Sequence, residues 1–183
     1  APAPSPSATP DNEGVLAFRF FDFAALHPED PKWGDCTLIT LPNGETMLLD
    51  AGLDDYAQHL VDALGDSGVT HVDYILLSHP HDDHYGGIPS ILAEFPVKQM
   101  YASAYDREKA QKIYARAEAA GTPVAYLSGG DSFSIGGVRF DVLYPYPDSA
   151  CFANPQSKTD ASVNNRSLVV KITYGQNAAL FPG

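Results

Sequence analysis

The run Ser78-His79-Pro80-His81-Asp82-Asp83-His84-Tyr85-Gly86-Gly87 sets four potential metal ligands, His79, His81, Asp83 and His84, within six residues. The apolar segment before it, Val72-Asp73-Tyr74-Ile75-Leu76-Leu77, reads as a buried strand. The segment after it, Ile88-Pro89-Ser90-Ile91-Leu92-Ala93-Glu94-Phe95, reads as a short helix. A buried strand feeding a helix belongs to a layered α/β architecture. The ligands then lie on the strand-to-helix loop, where α/β sheets usually hold their chemistry.

His79 and His81 are two apart in an extended segment, so their side chains point the same way and pinch one cation. Asp83 and His84 follow as the chain turns into the helix, and aim at a second cation nearby. Imidazole nitrogen and carboxylate oxygen suit zinc, and also manganese or iron. Two cations about 3.5–4 Å apart share a water, lower its pKa and polarise a phosphoryl or carbonyl oxygen. The alternative is a polar loop whose histidines are merely exposed. Three of the chain's six histidines gathered beside an aspartate favour the metal. The expected cofactors are two divalent metal ions, Zn or Mn.

His-x-His-x-Asp-His after an apolar strand resembles the signature of the metallo-β-lactamase superfamily, and the likeness runs along nearly the whole chain. Gly34-Asp35-Cys36-Thr37-Leu38-Ile39, Pro42-Asn43-Gly44 and Leu48-Leu49-Asp50-Ala51-Gly52 are similar to its first hairpin. The Gly-Asp and Asn-Gly details most resemble the branch containing the metallo-hydrolase domain of the bacterial competence protein ComEC. Gly130-Asp131-Ser132-Phe133-Ser134-Ile135-Gly136-Gly137-Val138 and Asn164-Asn165-Arg166-Ser167-Leu168-Val169-Val170 match that branch too. The resemblance implies a four-layer αββα sandwich and hydrolysis by a metal-activated hydroxide. It makes Asp83 the catalytic candidate as well as a ligand. It gives Asp50 the task of hydrogen-bonding a ligand imidazole; the plain alternative is a turn-forming aspartate before glycine.

Two departures from the family pattern matter. No histidine follows His84, where the superfamily supplies a third imidazole to the first metal. Asn164 or Asn165 stands in the corresponding region, either near the metal or in a turn before the next strand. Asp160 in the same loop is the weaker ligand candidate. An amide oxygen is harder than imidazole and would shift preference toward manganese. The chain also stops at Leu180-Phe181-Pro182-Gly183, where the family's strand ends in Gly-Asp with a metal-bridging aspartate and a further histidine beyond it. The expectation is the N-terminal portion of a hydrolase domain over residues 14–183.

Residues 1–13, rich in Pro, Ser and Ala, read as a disordered tether of the kind that follows a removed export signal; a linker would look the same. Export to the extracellular space or cell envelope is the expectation. No apolar run approaches the ~20 residues of a membrane span. The net charge of −12 disfavours nucleic acid, since nonspecific binding uses Lys and Arg against phosphates. It does not exclude a nuclease, because bound metals attract phosphate locally. Cys36 and Cys151 read as two free thiols, neither a convincing nucleophile; a bridge would require the fold to bring them together.

Strands are expected at Val15–Phe23, 36–41, 45–50, 97–102, 132–135, 138–143, 168–174 and 178–181, with turns at 42–44, 136–137 and 175–177. Helices are expected over Leu53–Leu64 and Asp106–Ala120, the latter ending at Gly121. Trp33, in the loop with His27, is expected to pack on the core, the alternative being a cap over the pocket. The functional expectation is a metal-dependent hydrolase acting on phosphodiester bonds, in DNA or in a smaller ester. Alternatives are another ester, lactone or thioester on the same fold, or a non-catalytic binding module. Oligomeric state is not written in the sequence.

Overall fold

A computed structural model describes residues 14–26, 28–30, 33–153 and 159–183. The expected tether and His27 lie outside the described residues.

The first sheet has the order β1-β2-β3-β4-β5-β6. Its members β1 (Ala17–Phe20), β2 (Thr37–Thr40) and β3 (Thr46–Leu49) pair antiparallel. From β3 onward, β4 (Tyr74–Leu77), β5 (Gln99–Ser103) and β6 (Val124–Leu127) run parallel. Parallel neighbours need crossovers. These are α2 (Ala57–Asp66), α4 (Ile88–Glu94) and α5 (Gln111–Ala119). The second sheet is antiparallel throughout, in the order β10-β9-β8-β7, from β7 (Ser132–Ile135), β8 (Val138–Tyr144), β9 (Val169–Tyr174) and β10 (Asn177–Phe181).

Side chains alternate across a strand, so one sheet divides two cores. Ile75, Leu77 and Leu48 join Leu60, Leu64 and Ile91 under the helices. Leu76, Met47 and Leu49 face Phe140, Val142, Val170 and Ile172 of the second sheet. Both faces of β4 are therefore buried, which is why its sequence is a continuous apolar run. Each such buried aliphatic side chain contributes about 1.5–3 kcal/mol. Among the described residues the layers are helices, sheet and sheet, three of the four in an αββα sandwich. None of the helices is long and apolar enough to cross a membrane.

Several expectations need correcting. The first strand stops at Phe20, and α1 (Phe23–Leu26) follows. Phe23 turns inward to 2% exposure against Tyr56, with ring centroids 5.8 Å apart. Its ring lies where a Cβ on Gly52 would sit, 2.3 Å away, so position 52 tolerates only glycine. Trp33 does not pack on the core: it is 75% exposed. The expected helix from Asp106 starts late. Asp106 is left-handed at φ 50, Arg107–Ala110 is a 3-10 turn, and α5 begins at Gln111. The Asp106 carboxylate leaves the helix start to meet Arg166 Nη1 at 2.9 and 3.0 Å, and both residues are buried. Neither β6 nor the short α6 (Asp160–Asn164) was expected.

Candidate metal centre

The carboxyl ends of β3 and β4 bring Asp50 and Ser78 together. Asp50 sits at φ 59, a left-handed conformation that aspartate tolerates, and its N–H donates to Leu76 O at 2.9 Å. Its carboxylate is 1% exposed and fully engaged. One oxygen accepts the Ser78 N–H at 2.8 Å; the other accepts Ser78 Oγ at 2.7 Å and His84 Nδ1 at 2.8 Å. Hydrogen bonds to a buried charge are about twice as strong as neutral ones.

Main-chain bonds tie the surrounding loops. Asp35 N donates to Asp83 O at 3.1 Å and Gly52 N to Asp35 O at 3.0 Å. Ala51 N donates to His84 O at 2.7 Å and Gly87 N to Gly52 O at 3.1 Å. Backbones come this close because Gly86 and Gly87 carry no side chain. A Cβ at 86 would lie 2.2 Å from Asp54 N, and one at 87 would lie 2.2 Å from Ala51 O. α3 (Asp82–Tyr85) then presents Asp83 and His84 from one turn of helix.

The hydrogen-bond network assigns the tautomers. His84 gives its Nδ1–H to Asp50, leaving the Nε2 lone pair outward. Ser78 Oγ gives its proton to Asp50 and accepts from His79 Nδ1 at 3.0 Å, which frees His79 Nε2. His79 Nε2 faces His81 Nδ1 at 3.2 Å, and the His79 and His84 rings lie 4.0 Å apart. Two donors about 2.0–2.2 Å from one tetrahedral cation stand about 3.4 Å apart. The His79–His81 pair fits that spacing. His81 Nε2, on the far side of its ring, is buried without a hydrogen bond and faces Asp160 Oδ1 at 3.6 Å. Among the described residues no group of three His, Cys, Asp or Glu side chains already forms a cation cage. Candidate donors converge here in pairs, and their types and tautomers suit zinc or manganese.

Burial pushes the His79 pKa down to about 4, with the neighbouring His84 adding to the effect, so its imidazole is neutral at pH 7. Burial also depresses His84, but the Asp50 hydrogen bond and the charges of Asp50, Asp83 and Asp35 outweigh it and raise the pKa. Burial, then Asp50 and Asp35, push the Cys36 thiol well up. Cys36 and Cys151 are both free, and the first is an inert thiol.

The structure thus gathers His79, His81, Asp83, His84 and Asp50 at one end of the first sheet. Asp82 points to solvent. Asn164 and Asn165 lie at the far end of α6 and line a cavity with Tyr144, Cys151, Ser167 and Pro182. Neither makes a hydrogen bond to the histidines among the described residues. Of that loop, Asp160 is the residue that reaches the cluster. Ser78 was missed in the sequence, although it directly precedes His79. Asp35, whose Oδ2 lies 3.7 Å from His84 Nε2, was noticed only as part of a Gly-Asp motif.

The family model described as the metallo-beta-lactamase superfamily matches residues 31–153. A hydroxyacylglutathione hydrolase from Stenotrophomonas maltophilia is 44% identical over 65 residues, 36% of this chain and 24% of that protein. One of the same name from Xylella fastidiosa is 30% identical over 113 residues, 59% of this chain and 35% of that protein. These matches span well under two thirds of the relatives' length. The relatives carry that name rather than the name of the competence branch. A solved metallo-β-lactamase from Cronobacter sakazakii superposes with TM-score 0.58 at 22% identity, over 82% of this chain and 56% of that one. The metallo-β-lactamase fold protein YhfI from Bacillus subtilis superposes with TM-score 0.56 at 16% identity, over 85% and 57%. At such identities the structural likeness is one of fold. The family match covers more than half of the sequence, and the chain belongs to the metallo-β-lactamase superfamily.

Proposed function

We propose that this chain holds two divalent cations, zinc or manganese, and serves a hydrolase whose first substrate class is the thioester, within a wider reach of carbonyl esters. The carrying observation is the histidine cluster, in which Asp50 and Ser78 leave His79 Nε2 and His84 Nε2 free as donors. His79 Nε2 and His81 Nδ1 would hold one cation, and Asp83 with His84 Nε2 the other. When bound, such cations supply Lewis acidity and acidify water. The residues do the rest. Asp50 holds His84 in the Nδ1–H tautomer and, through Ser78, does the same for His79. Burial keeps His79 unprotonated, so no proton has to leave before it can donate its lone pair. Asp160 Oδ1 stands opposite His81 Nε2, on the side of the ring away from His79.

The thioester reading is supported by the relatives named hydroxyacylglutathione hydrolase. The acidity of the chain weighs against polyanionic substrates. Phosphodiester hydrolysis is the second reading, carried by the motifs Gly34-Asp35 and Asn164-Asn165-Arg166-Ser167. The test offers zinc- or manganese-loaded protein a hydroxyacyl thioester of glutathione and, in parallel, bis(4-nitrophenyl) phosphate. Thioester turnover that chelator and His79→Ala both abolish is the expected result. Turnover of the phosphodiester alone puts the second reading first. Metal binding with neither activity makes the chain a binding module.

A further inference from the structure

We infer that Asp35 is a ligand of the second cation, beside Asp83 and His84; this rests on the metal reading above. The His84 side chain is 8% exposed. Its Nδ1 is taken by Asp50, and its Nε2 makes no hydrogen bond among the described residues. Two carboxylate oxygens face that nitrogen, Asp83 Oδ2 at 3.9 Å and Asp35 Oδ2 at 3.7 Å. Both gaps are too wide for a hydrogen bond. Both are close to the about 3.4 Å that separates two donors on one tetrahedral cation. Asp35 is the nearer of the two.

Its backbone position is fixed by main-chain bonds. Asp35 N donates to Asp83 O and Asp35 O accepts from Gly52 N, so the residue is pinned on both sides to the loops that carry Asp83 and Asp50. The Asp35 side chain is 77% exposed and makes no hydrogen bond among the described residues. Two carboxylates thus face an imidazole nitrogen that makes no hydrogen bond among the described residues, the spacing of donors around one ion. Two carboxylates and one imidazole form a harder site than the His79–His81 pair, so the two positions differ in preference, with manganese favoured at Asp35.

The test is a metal titration of the full chain with zinc and with manganese, counting equivalents by plasma mass spectrometry and affinities by competition with a chromogenic chelator. The variants are Asp35→Ala, Asp35→Asn, His84→Ala, His79→Ala and, as an exposed acid in the neighbouring loop, Asp54→Asn. Circular dichroism of each metal-free variant checks the fold. The expected result is that both Asp35 variants weaken one of two sites by about tenfold or more, as His84→Ala does. His79→Ala should weaken the other site, and Asp54→Asn neither. Loss in His84→Ala with unchanged affinity in both Asp35 variants overturns the assignment and leaves the metal reading standing. An equal loss in Asp54→Asn reduces Asp35 to background charge and also overturns it. A wild-type chain that binds neither metal sinks both.

Discussion

The strand pair β3–β4 has a buried aspartate at each end, Asp73 where β4 begins and Asp50 where β3 finishes. They are 5% and 1% exposed. Asp73 accepts the Thr46 N–H at 2.8 Å, meets Lys98 Nζ at 2.8 Å and faces His71 Nε2 at 3.3 Å. Lys98 closes the group by reaching Glu45 at 2.6 Å. Glu45 also accepts from Asn43 Nδ2 at 2.7 Å and from the Tyr74 hydroxyl at 3.2 Å, so these branches end on an amide and a phenol. Asp50 makes a similar number of contacts, but its partners continue: behind Ser78 is His79 Nε2, and behind Nδ1 of His84 is Nε2. A buried carboxylate is a staple when its partners have no second free atom, and the base of a site when they have one.

The largest expected effect separates the two aspartates directly. Asp50→Asn places an amide against three donors and should lower metal affinity about 10–100-fold. It should also cost about 1.5–3 kcal/mol for each charged hydrogen bond lost. Asp73→Asn should destabilise the chain by about 1–2 kcal/mol and leave metal affinity unchanged. Urea denaturation and metal titration of both variants check this. Equal losses of affinity would erase the distinction.

The next effect is in pH. In metal-free protein, His79 has a folded pKa of about 4, below its ordinary value of 6.5. Its contribution is fully present above 6.5 and is lost as pH falls from there toward 4, because the unfolded chain takes the proton first. The His84 pKa is raised, so its contribution is fully present below 6.5 and is lost as pH rises through the folded value. Together they predict a stability maximum near pH 6.5, falling on the acid side through His79 and on the alkaline side through His84. Urea midpoints between pH 5 and 8 in chelator-treated protein test it. Asp50→Asn should flatten the alkaline flank, and Asp73→Asn should leave it. The smallest effect is at the staple's exposed end. Lys98→Met should lower Tm slightly at low salt, with the difference vanishing near about 1 M salt; a drop that survives salt would show packing rather than charge.

The site's first half was legible because it is local. An apolar run announces β4, and four donors in six residues announce the loop. Hairpins were legible where glycines must turn at positive φ, as Gly44 does at 83 and Gly136-Gly137 do at 56 and 80. What was hidden depends on residues far apart. Asp106-Arg107-Glu108 reads as the start of a helix, yet Arg166, sixty positions on, draws the aspartate out of it. β6 follows a proline and is only four residues long, Val124-Ala125-Tyr126-Leu127, too short for its apolar run to stand out from a loop. α6, five residues long, is too short for a helical period to show. Asp35 lies 49 positions from His84, and only the main-chain bonds between their loops bring them together.

Those bonds have a consequence for how the chain can change. The frame around the histidines is made of peptide groups, which every residue supplies, and of glycines, which no residue can replace. Asp35, Asp83 and Asp160 hang from that lattice without holding it up. Ion chemistry and architecture are therefore inherited separately. Exchanging a carboxylate for an imidazole or a thiolate at 35 or 83, the proposed donor positions, would retune which ion is preferred in single steps. One methyl group at 86 or 87 would instead disturb the loops packed around it. Selection for a new metal has an open route here, and selection for a new loop geometry does not.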